Sequence, residues 1–472
     1  MLVMVVCLMC LLLGYLVYGK FIEGSVLPHK GPTPAVAHPD GMDYVPMSKR
    51  KVQLIQLLNI AGTGPIFGAL MGAKWGPIVL IWIVAGTIFG GAVHDYMCGM
   101  MSARNDGKSV TYLIRHYLGE KSRYFVLILF LFVMIMVTAT FARSASDLLY
   151  GVTGIPSTVW IIIILIYFIA STVLPIDKVI GKIYPVFGVL LILMAVVIVF
   201  GLAMGGYDFP SFTLQNLHPN GDEYFPDMFI TVACGAISGF HATQAPMASR
   251  CIEDEKDGRT VFYGAMIMES AIAAIWAVAG MTFYSDTSAL ADALSAGGAS
   301  SVVYEISVGV AGIAGGILAV IGVIICPITS GDTALRSARL MIQDDRGYDS
   351  SKIRNGLIIT AILLVPIIFL CSIDFTVLWN YFSWLNQTLA CLVLWTATVF
   401  ILATRKYINY AIFTMLPAMF MTMVVSSFIL HSPLGLSLGY ETSMIIAALF
   451  TIVITLIFIK YYIVEKKASE LA

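Results

Sequence analysis

The chain alternates between long apolar runs and short polar joints. Thirteen runs approach or exceed the roughly 20 residues that a helix needs to cross a bilayer. They cover approximately 1–19, 52–73, 77–102, 124–149, 158–175, 184–205, 226–248, 260–284, 305–340, 355–373, 376–403, 410–430 and 441–460. The pattern predicts an all-α polytopic membrane protein with about 13 transmembrane helices. The run at 305–340 is too long for one straight span, so part of it is expected to leave the membrane or to pack as a broken helix. The first run has no basic stretch ahead of it and no small-x-small cleavage site before Lys20, so it reads as a retained span.

The joints differ in charge. One alternating set holds Lys20, Lys30, Lys49, Arg50 and Lys51, then Arg104, Lys108, Arg115, Lys121 and Arg123, then Lys178 and Lys182. It continues with Arg250, Lys256 and Arg259, then Arg336, Arg339, Arg346, Lys352 and Arg354, then Arg405 and Lys406, then Lys460, Lys466 and Lys467. That is 25 of the 27 basic residues; the opposite joints hold only Lys74, and Arg143 lies within a helix. Basic joints stay in the cytoplasm. The expected orientation is an outside N-terminus and a cytoplasmic C-terminus in the plasma membrane.

Composition narrows the class further. Apolar residues make up 59% of the 472 and charged residues 12%, against about a quarter charged in soluble domains. That excludes a soluble, disordered or nucleic-acid-binding protein and leaves the lipid bilayer as the principal partner. The net charge of −1 names no other. Cys7, Cys10, Cys98, Cys234, Cys326, Cys371 and Cys391 lie in apolar stretches and Cys251 at the end of one. The Cys7-x2-Cys10 pair has no second pair to complete a metal site, and no disulfide framework is implied.

Setting aside the first helix and the last two leaves ten, which divide as five plus five. Five is odd, so the second set enters the membrane from the opposite side. This is an inverted-topology repeat. The expected organisation is an N-terminal helix and cytoplasmic linker at 1–51, a first five-helix repeat at 52–205, a second at 206–403, and two additional helices with a tail at 404–472. Each half opens with a glycine-interrupted helix: Asn59-Ile60-Ala61-Gly62-Thr63-Gly64-Pro65, and Gly235-Ala236-Ile237-Ser238-Gly239-Phe240-His241 followed by Pro246. The third helices share Arg143-Ser144-Ala145 and Arg336-Ser337-Ala338, and the loops 206–225 and 285–304 lack Lys and Arg. The expected fold is therefore a LeuT-like 5+5 inverted-repeat core with discontinuous first helices in each repeat. Small residues also let membrane helices pack closely. A break instead frees backbone N–H and C=O groups at membrane depth, where they act as ligands.

Ionisable groups inside spans need a reason. His94 and Asp95, Arg143 and Asp147, His241, Glu269, Asp332 and Arg336 qualify. Arg143 and Asp147, four apart, can neutralise one another on one helix face. Asp332 follows Pro327 in Thr329-Ser330-Gly331-Asp332, which looks like a loosened segment. With carbonyls near Gly62, the residues Thr329, Ser330 and Asp332 make a candidate cation site. Asp95 and Glu269 have no sequence-near partner. A lone carboxylate at that depth favours its protonated form, which suits proton coupling; a hydrogen-bonded structural carboxyl is the alternative. His241 can be a ligand contact, a proton relay or a packing residue. Enzyme signatures are absent: there is no Walker A sequence and no His-Glu-x-x-His, and Gly62-x-Gly64 lacks the third glycine of a dinucleotide site. The expectation is a non-enzyme without cofactor or resident metal.

Several segments resemble the carbon starvation protein A family. They are Asp40-Gly41-Met42-Asp43-Tyr44-Val45-Pro46, Ile60-Ala61-Gly62-Thr63-Gly64-Pro65, Gly90-Gly91-Ala92-Val93-His94-Asp95-Tyr96 and Arg104-Asn105-Asp106-Gly107-Lys108-Ser109. The second half adds Ile237-Ser238-Gly239-Phe240-His241-Ala242, Tyr263-Gly264-Ala265-Met266, Thr329-Ser330-Gly331-Asp332-Thr333-Ala334 and Trp384-Leu385-Asn386-Gln387-Thr388-Leu389-Ala390. The resemblance implies an inner-membrane carrier related to the amino acid-polyamine-organocation group, importing peptides or pyruvate in nutrient limitation. The chain is shorter than the longest members, and it reads Thr243-Gln244-Ala245-Pro246-Met247-Ala248 where those look richer in Ser, Thr and Gly.

The expectation is thus a secondary active transporter of a small organic nutrient, with a proton or Na+ as coupling ion. Gly62, Thr63, Gly64, Ser238, Gly239, His241 and Gln244 are the candidate substrate-binding residues. Asp95, Glu269, Thr329, Ser330 and Asp332 are the candidate coupling residues. The other reading is a nutrient-binding sensor or channel that moves nothing actively.

Overall fold

The computed structural model describes residues 1–27, 31–41, 43–173, 176–348, 353–373, 375–404 and 408–464. Lys30, Met42, Lys352, Arg405, Lys406, Lys466 and Lys467, used above, lie outside the described residues.

Ten helices among the described residues are long and apolar enough to cross a membrane. One of them, Thr287–Ile313, is divided by Gly298 (φ 70°) and set off from Gly315–Arg346 by Gly312 (φ 65°). Its two pieces are each roughly 16–20 Å long, too short to span. They lie over one end of the bundle: Thr287 donates to the Leu217 carbonyl (2.6 Å), and Tyr207 donates to that of Gly309 (3.1 Å). Among the described residues, the nine remaining long helices, two broken helices, and the shorter Ser157–Ser171 and Arg354–Leu370 correspond in number to the thirteen apolar runs. Two sequence expectations change here. The stretch 285–304 is helical rather than a plain loop, and the chain breaks at Gly298 and Gly312 rather than near Pro327. Positive φ favours glycine. Around Pro327 the helix continues, because the Thr329 hydroxyl bonds back to the Ile325 and Cys326 carbonyls and keeps that turn intact.

The first broken helix runs Lys49–Ile60, then Gly64–Trp75, with a bend of 58°. Pro65 stands in the first turn of the second piece, where its missing N–H costs nothing. The second broken helix runs Tyr224–Met228 and Phe229–Thr231, leaves helical geometry at Val232 and restarts as His241–Ser249. The Arg123–Thr153 and Gly315–Arg346 helices pack extensively on one another, as the third helices of two repeats. Arg143 pairs with Asp147 (3.1 Å) one turn along its own helix, which is the self-neutralising arrangement.

The charged joints sort onto two faces. On one, Arg104 grips Glu255 with two bonds (3.1 and 3.0 Å), Arg259 pairs with Glu23 (2.7 Å), Lys49 with Asp257 (3.2 Å), and Arg123 with Asp345 (2.8 Å). On the other, Trp75 donates to the carbonyls of Asp222 and Glu223 (3.0 and 3.1 Å) and stacks on His218. Burial and the neighbouring Lys74 hold the His218 imidazole below its ordinary value. The loops expected to share a side do meet.

Close packing at the breaks depends on missing side chains. A Cβ on Gly91 would run into the Ala236 carbonyl oxygen and touch Met266, whereas one on Gly24 would meet nothing within 4 Å. Overpacking of this kind costs about 1–3 kcal/mol. Gly91→Ala is therefore expected to lower the melting temperature in detergent, with Gly24→Ala unchanged; equal melting of the two would refute the packing account.

Candidate functional site

The two breaks meet. A Cβ on Gly64 would collide with Cys234, so the two chain interruptions touch across the bundle centre. The peptide groups freed at the second break are collected by Asn386 of the Phe375–Thr404 helix. Its Oδ1 accepts from the Phe240 N–H (2.6 Å) and the Ser238 hydroxyl (3.2 Å), and its backbone carbonyl accepts from the Gly239 N–H (3.1 Å). Gly239 carries no side chain because Asn386, Leu389 and Ala390 fill that space. At the first break the Gly62 N–H turns back onto the Ile60 carbonyl (2.8 Å), and Thr63 accepts from Ile66 and Phe67. The Phe141 ring lies against Gly62 and stacks edge-on with Phe240 and Phe382, closing the space between the halves.

The ionisable groups form a chain. His94 Nδ1 lies 2.8 Å from Asp95 Oδ1, and His241 Nδ1 lies 2.9 Å from Asp95 Oδ2. His241 Nε2 lies 3.3 Å from Glu269 Oε2, close enough for charge attraction but not aligned as a hydrogen bond. All four side chains are fully buried. Three helices supply them, from Ala92–Ala103, His241–Ser249 and Gly264–Phe283. Asp95 thus does have a sequence-near partner, His94, contrary to the sequence expectation, and both carboxylates share the His241 imidazole in space. At membrane depth that sharing answers the cost of burying them.

A second cluster lies apart. Asp332 Oδ2 accepts from the hydroxyls of Ser171 (2.6 Å) and Tyr184 (2.9 Å), and Tyr184 also reaches the Thr329 carbonyl (3.3 Å). Arg336 donates to the Ser171 carbonyl (2.6 Å). Ser330 donates to the Leu58 carbonyl (3.0 Å), one turn ahead of Gly62, and the Thr329 hydroxyl oxygen lies 3.3 Å from the same carbonyl. The three coupling candidates on this helix thus split between Leu58 and the Ser171–Tyr184 pair. Gln244 Nε2 donates to Thr243 Oγ1 (2.7 Å) and lies 3.5 Å from Ser337 Oγ.

The family model described as Carbon starvation protein CstA matches residues 1–201 and 146–306. The chain belongs to the CstA family.

Among relatives, an uncharacterized membrane protein of Haemophilus influenzae is 42% identical over 347 residues, covering 62% of this chain and 93% of that protein. The Campylobacter jejuni peptide transporter CstA is 27% identical (57% of this chain, 48% of that one). The Escherichia coli pyruvate/proton symporter BtsT is 28% identical (57% and 47%). The chain spans about half the length that these named transporters have. Among solved structures, the Eremococcus coleocola manganese transporter superposes with a TM-score of 0.57 at 11% identity over 92% of this chain and 99% of that one. MhsT in complex with L-phenylalanine gives 0.59 at 13%, over 80% and 97%. These likenesses confirm the LeuT-like fold. The named relatives and neighbours are transporters rather than enzymes.

Two segments by which the chain resembles other CstA members, at 40–46 and 104–109, form a lock on the basic face. Asp40 Oδ1 caps the Asp43 and Tyr44 N–H groups (3.0 and 2.8 Å), and Gly41 turns the chain with φ 71°. Val45 and Met47 then pair with the Arg250 and Cys251 carbonyls (3.2 and 2.9 Å) at the end of the second broken helix. The Arg250 guanidinium donates to the Gly107 carbonyl (2.8 Å), faces Asp344 at 3.7 Å and lies over the Tyr44 ring, whose hydroxyl bonds the Asp106 carbonyl (2.8 Å).

Sequence reasoning missed Asn386 as a site residue, although it lies in a quoted segment; an amide facing a glycine-rich break was its signal. It also left out His94, which stands next to Asp95 and lies 2.8 Å from its carboxylate.

Asn386→Leu strands the Phe240 N–H and the Ser238 hydroxyl, at about 1–3 kcal/mol per group. We expect a lower melting temperature, with Thr388→Val near wild type because that hydroxyl bonds only its own helix. Arg250→Gln removes the guanidinium from the Gly107 carbonyl and Asp344, again about 1–3 kcal/mol in the closed form. In a background with Cys251 as sole cysteine, the buried Cys251 thiol should then react faster with a maleimide; an unchanged rate would show that Arg250 does not hold the basic face shut.

Proposed function

We propose that the chain is a secondary active transporter that imports a small organic nutrient, short peptides or pyruvate, across the plasma membrane in nutrient limitation. The N-terminus stands outside and the C-terminus in the cytoplasm. The observation that carries the reading is the meeting of two broken helices beside a fully buried chain His94–Asp95–His241–Glu269. In a fold of inverted repeats, such a junction is where substrate and coupling ion bind, and one bundle rocks against the other around it.

The cargo sits between Gly62, Thr63 and Gly64 on one side and Ser238, Gly239, His241 and Gln244 on the other. In the closed form the Gly239 and Phe240 N–H groups are held by Asn386. Beside the first break the Thr63 hydroxyl has no partner among the described residues. A carboxylate of the cargo docks there, at the positive end of the Gly64–Trp75 half-helix.

Coupling follows from charge. Two buried carboxylates with neutral imidazoles would leave two negative charges in a low-dielectric core, a costly state. A proton on His241 serves Asp95 and Glu269 at once and joins the second broken helix to its neighbours. Releasing it toward the cytoplasm loosens that join. A sodium ion at the Leu58 carbonyl, Thr329, Ser330 and Asp332 is the second coupling route, favoured by the convergence of both hydroxyls on Leu58. Every candidate residue of the junction is buried from both faces, which favours a carrier over an open channel.

In proteoliposomes, Glu269→Gln and Asp95→Asn are expected to reduce proton-driven accumulation by at least about tenfold, an effect of roughly 1.4 kcal/mol, while substrate exchange without a gradient persists. Thr329→Ala with Ser330→Ala should abolish any sodium dependence. Proton-driven accumulation that survives both carboxyl substitutions would overturn this assignment, and an absence of uptake of pyruvate and dipeptides under either gradient would overturn the carrier reading.

A further inference from the structure

The Lys49–Ile60 half-helix packs on four neighbours: residues 255–283, 176–204, 313–346 and 241–249. Three of its directions are accounted for. Gln53 reaches Met268 (3.5 Å), Leu54 lies over Gly188, and the Leu58 carbonyl faces Thr329 and Ser330. Successive side chains turn by about 100°. Gln56 and Asn59 therefore share the remaining face, toward the His241–Ser249 half-helix. Both are fully buried, and neither the oxygen nor the nitrogen of either amide has a partner among the described residues. Beyond them Thr63 has an unpartnered hydroxyl, and across the gap Gln244 keeps an unpartnered Oε1.

Buried polar atoms are almost always paired. Here unpaired atoms of three amides and one hydroxyl lie on two half-helices that pack together, Gln56, Asn59 and Thr63 along the first broken helix and Gln244 on the second. Each amide of Gln56 and Asn59 offers both a donor and an acceptor. Their complement is a group that also offers both. An amide does, with its N–H and C=O; a 2-oxo acid carries acceptors only and would leave both side-chain oxygens unpaired.

We propose that Gln56 and Asn59 form an amide-reading subsite, so that the cargo carries an amide group held beside the first break. This rests on the carrier reading above and deepens it. A site built to pair buried polar groups rejects solutes that lack the matching partner far more strongly than an apolar pocket rejects a wrong shape. The amide comes either from a peptide bond or from a side-chain carboxamide.

The test is equilibrium binding to the purified full chain with four probes: dialanine, glutamine, alanine and pyruvate. Dialanine or glutamine should bind at least about tenfold more tightly than alanine and pyruvate. Tighter dialanine identifies a peptide bond as the group read, and tighter glutamine a carboxamide. Asn59→Leu and Gln56→Met should each lose that preference without a lower melting temperature, since they replace unpaired amides by apolar groups of similar size. Should either fail to fold, Asn59→Asp keeps the shape but removes the amide donor, and it should lose the preference too. Alanine or pyruvate binding as tightly as both amides, or variants that keep the wild-type preference, would overturn the subsite. Gradient-driven pyruvate uptake alongside such a result would leave the carrier reading standing; no binding of any probe together with no uptake would remove both.

Discussion

The structure depends on how two interrupted helices are satisfied at membrane depth. Backbone groups there have no water to fall back on. The second break is held by one residue of another helix, because Asn386 takes two donors through its side chain and a third through its carbonyl. The first break is satisfied only in part, by a tight turn at Gly62 and a restart at Pro65. The glycines follow from this. Gly64 and Gly239 stand where Cys234 on one side, and Asn386 with its neighbours on the other, leave no room for a Cβ. The second break is thus tied to a neighbouring helix through Asn386, while beside the first the Thr63 hydroxyl has no partner among the described residues.

The buried charges follow the same division. Asp332 is tied to Ser171 and Tyr184, and Arg336 to the Ser171 carbonyl. These contacts join three scaffold helices. Asp95 and Glu269 instead converge on His241, the first residue after the second break. A change in protonation at that imidazole therefore acts at the restart of a broken helix. A change at Asp332 would act on a continuous helix.

Much of this was legible in the sequence. Spans, the two breaks, the sidedness of basic joints and the inverted repeat all rest on hydrophobic length and on glycine and proline, which act locally. The pairing of Asp95 with Glu269 was not legible, because 174 positions separate them and only the fold brings His241 between them. The break in 287–346 was misplaced toward Pro327 for a related reason. Proline removes one backbone bond, but the Thr329 hydroxyl bonds the Ile325 and Cys326 carbonyls beside it, whereas Gly298 and Gly312 adopt a conformation that ends a helix. Gln56 and Asn59 look in sequence like ordinary polar residues near a helix end. Their unpaired state is visible only once every neighbour is placed.

The lock on the basic face fits an occluded centre. Tyr44, Arg250, Gly107 and Asp344 come from four separate stretches of chain, and they close over the end of the half-helix that carries His241 and Gln244. Polar contacts near water exchange partners at small net cost, so a closure built from them opens without exposing apolar surface. The opposite face is closed differently, by Trp75, Leu217 and the helical pieces around Gly298. That closure opens only if the helical pieces themselves move. The two faces therefore differ in what opening demands. In the carrier proposed above, opening on the basic side requires that the second broken helix be released from its neighbours, which hold it at the centre through Asn386 and through the shared imidazole of His241.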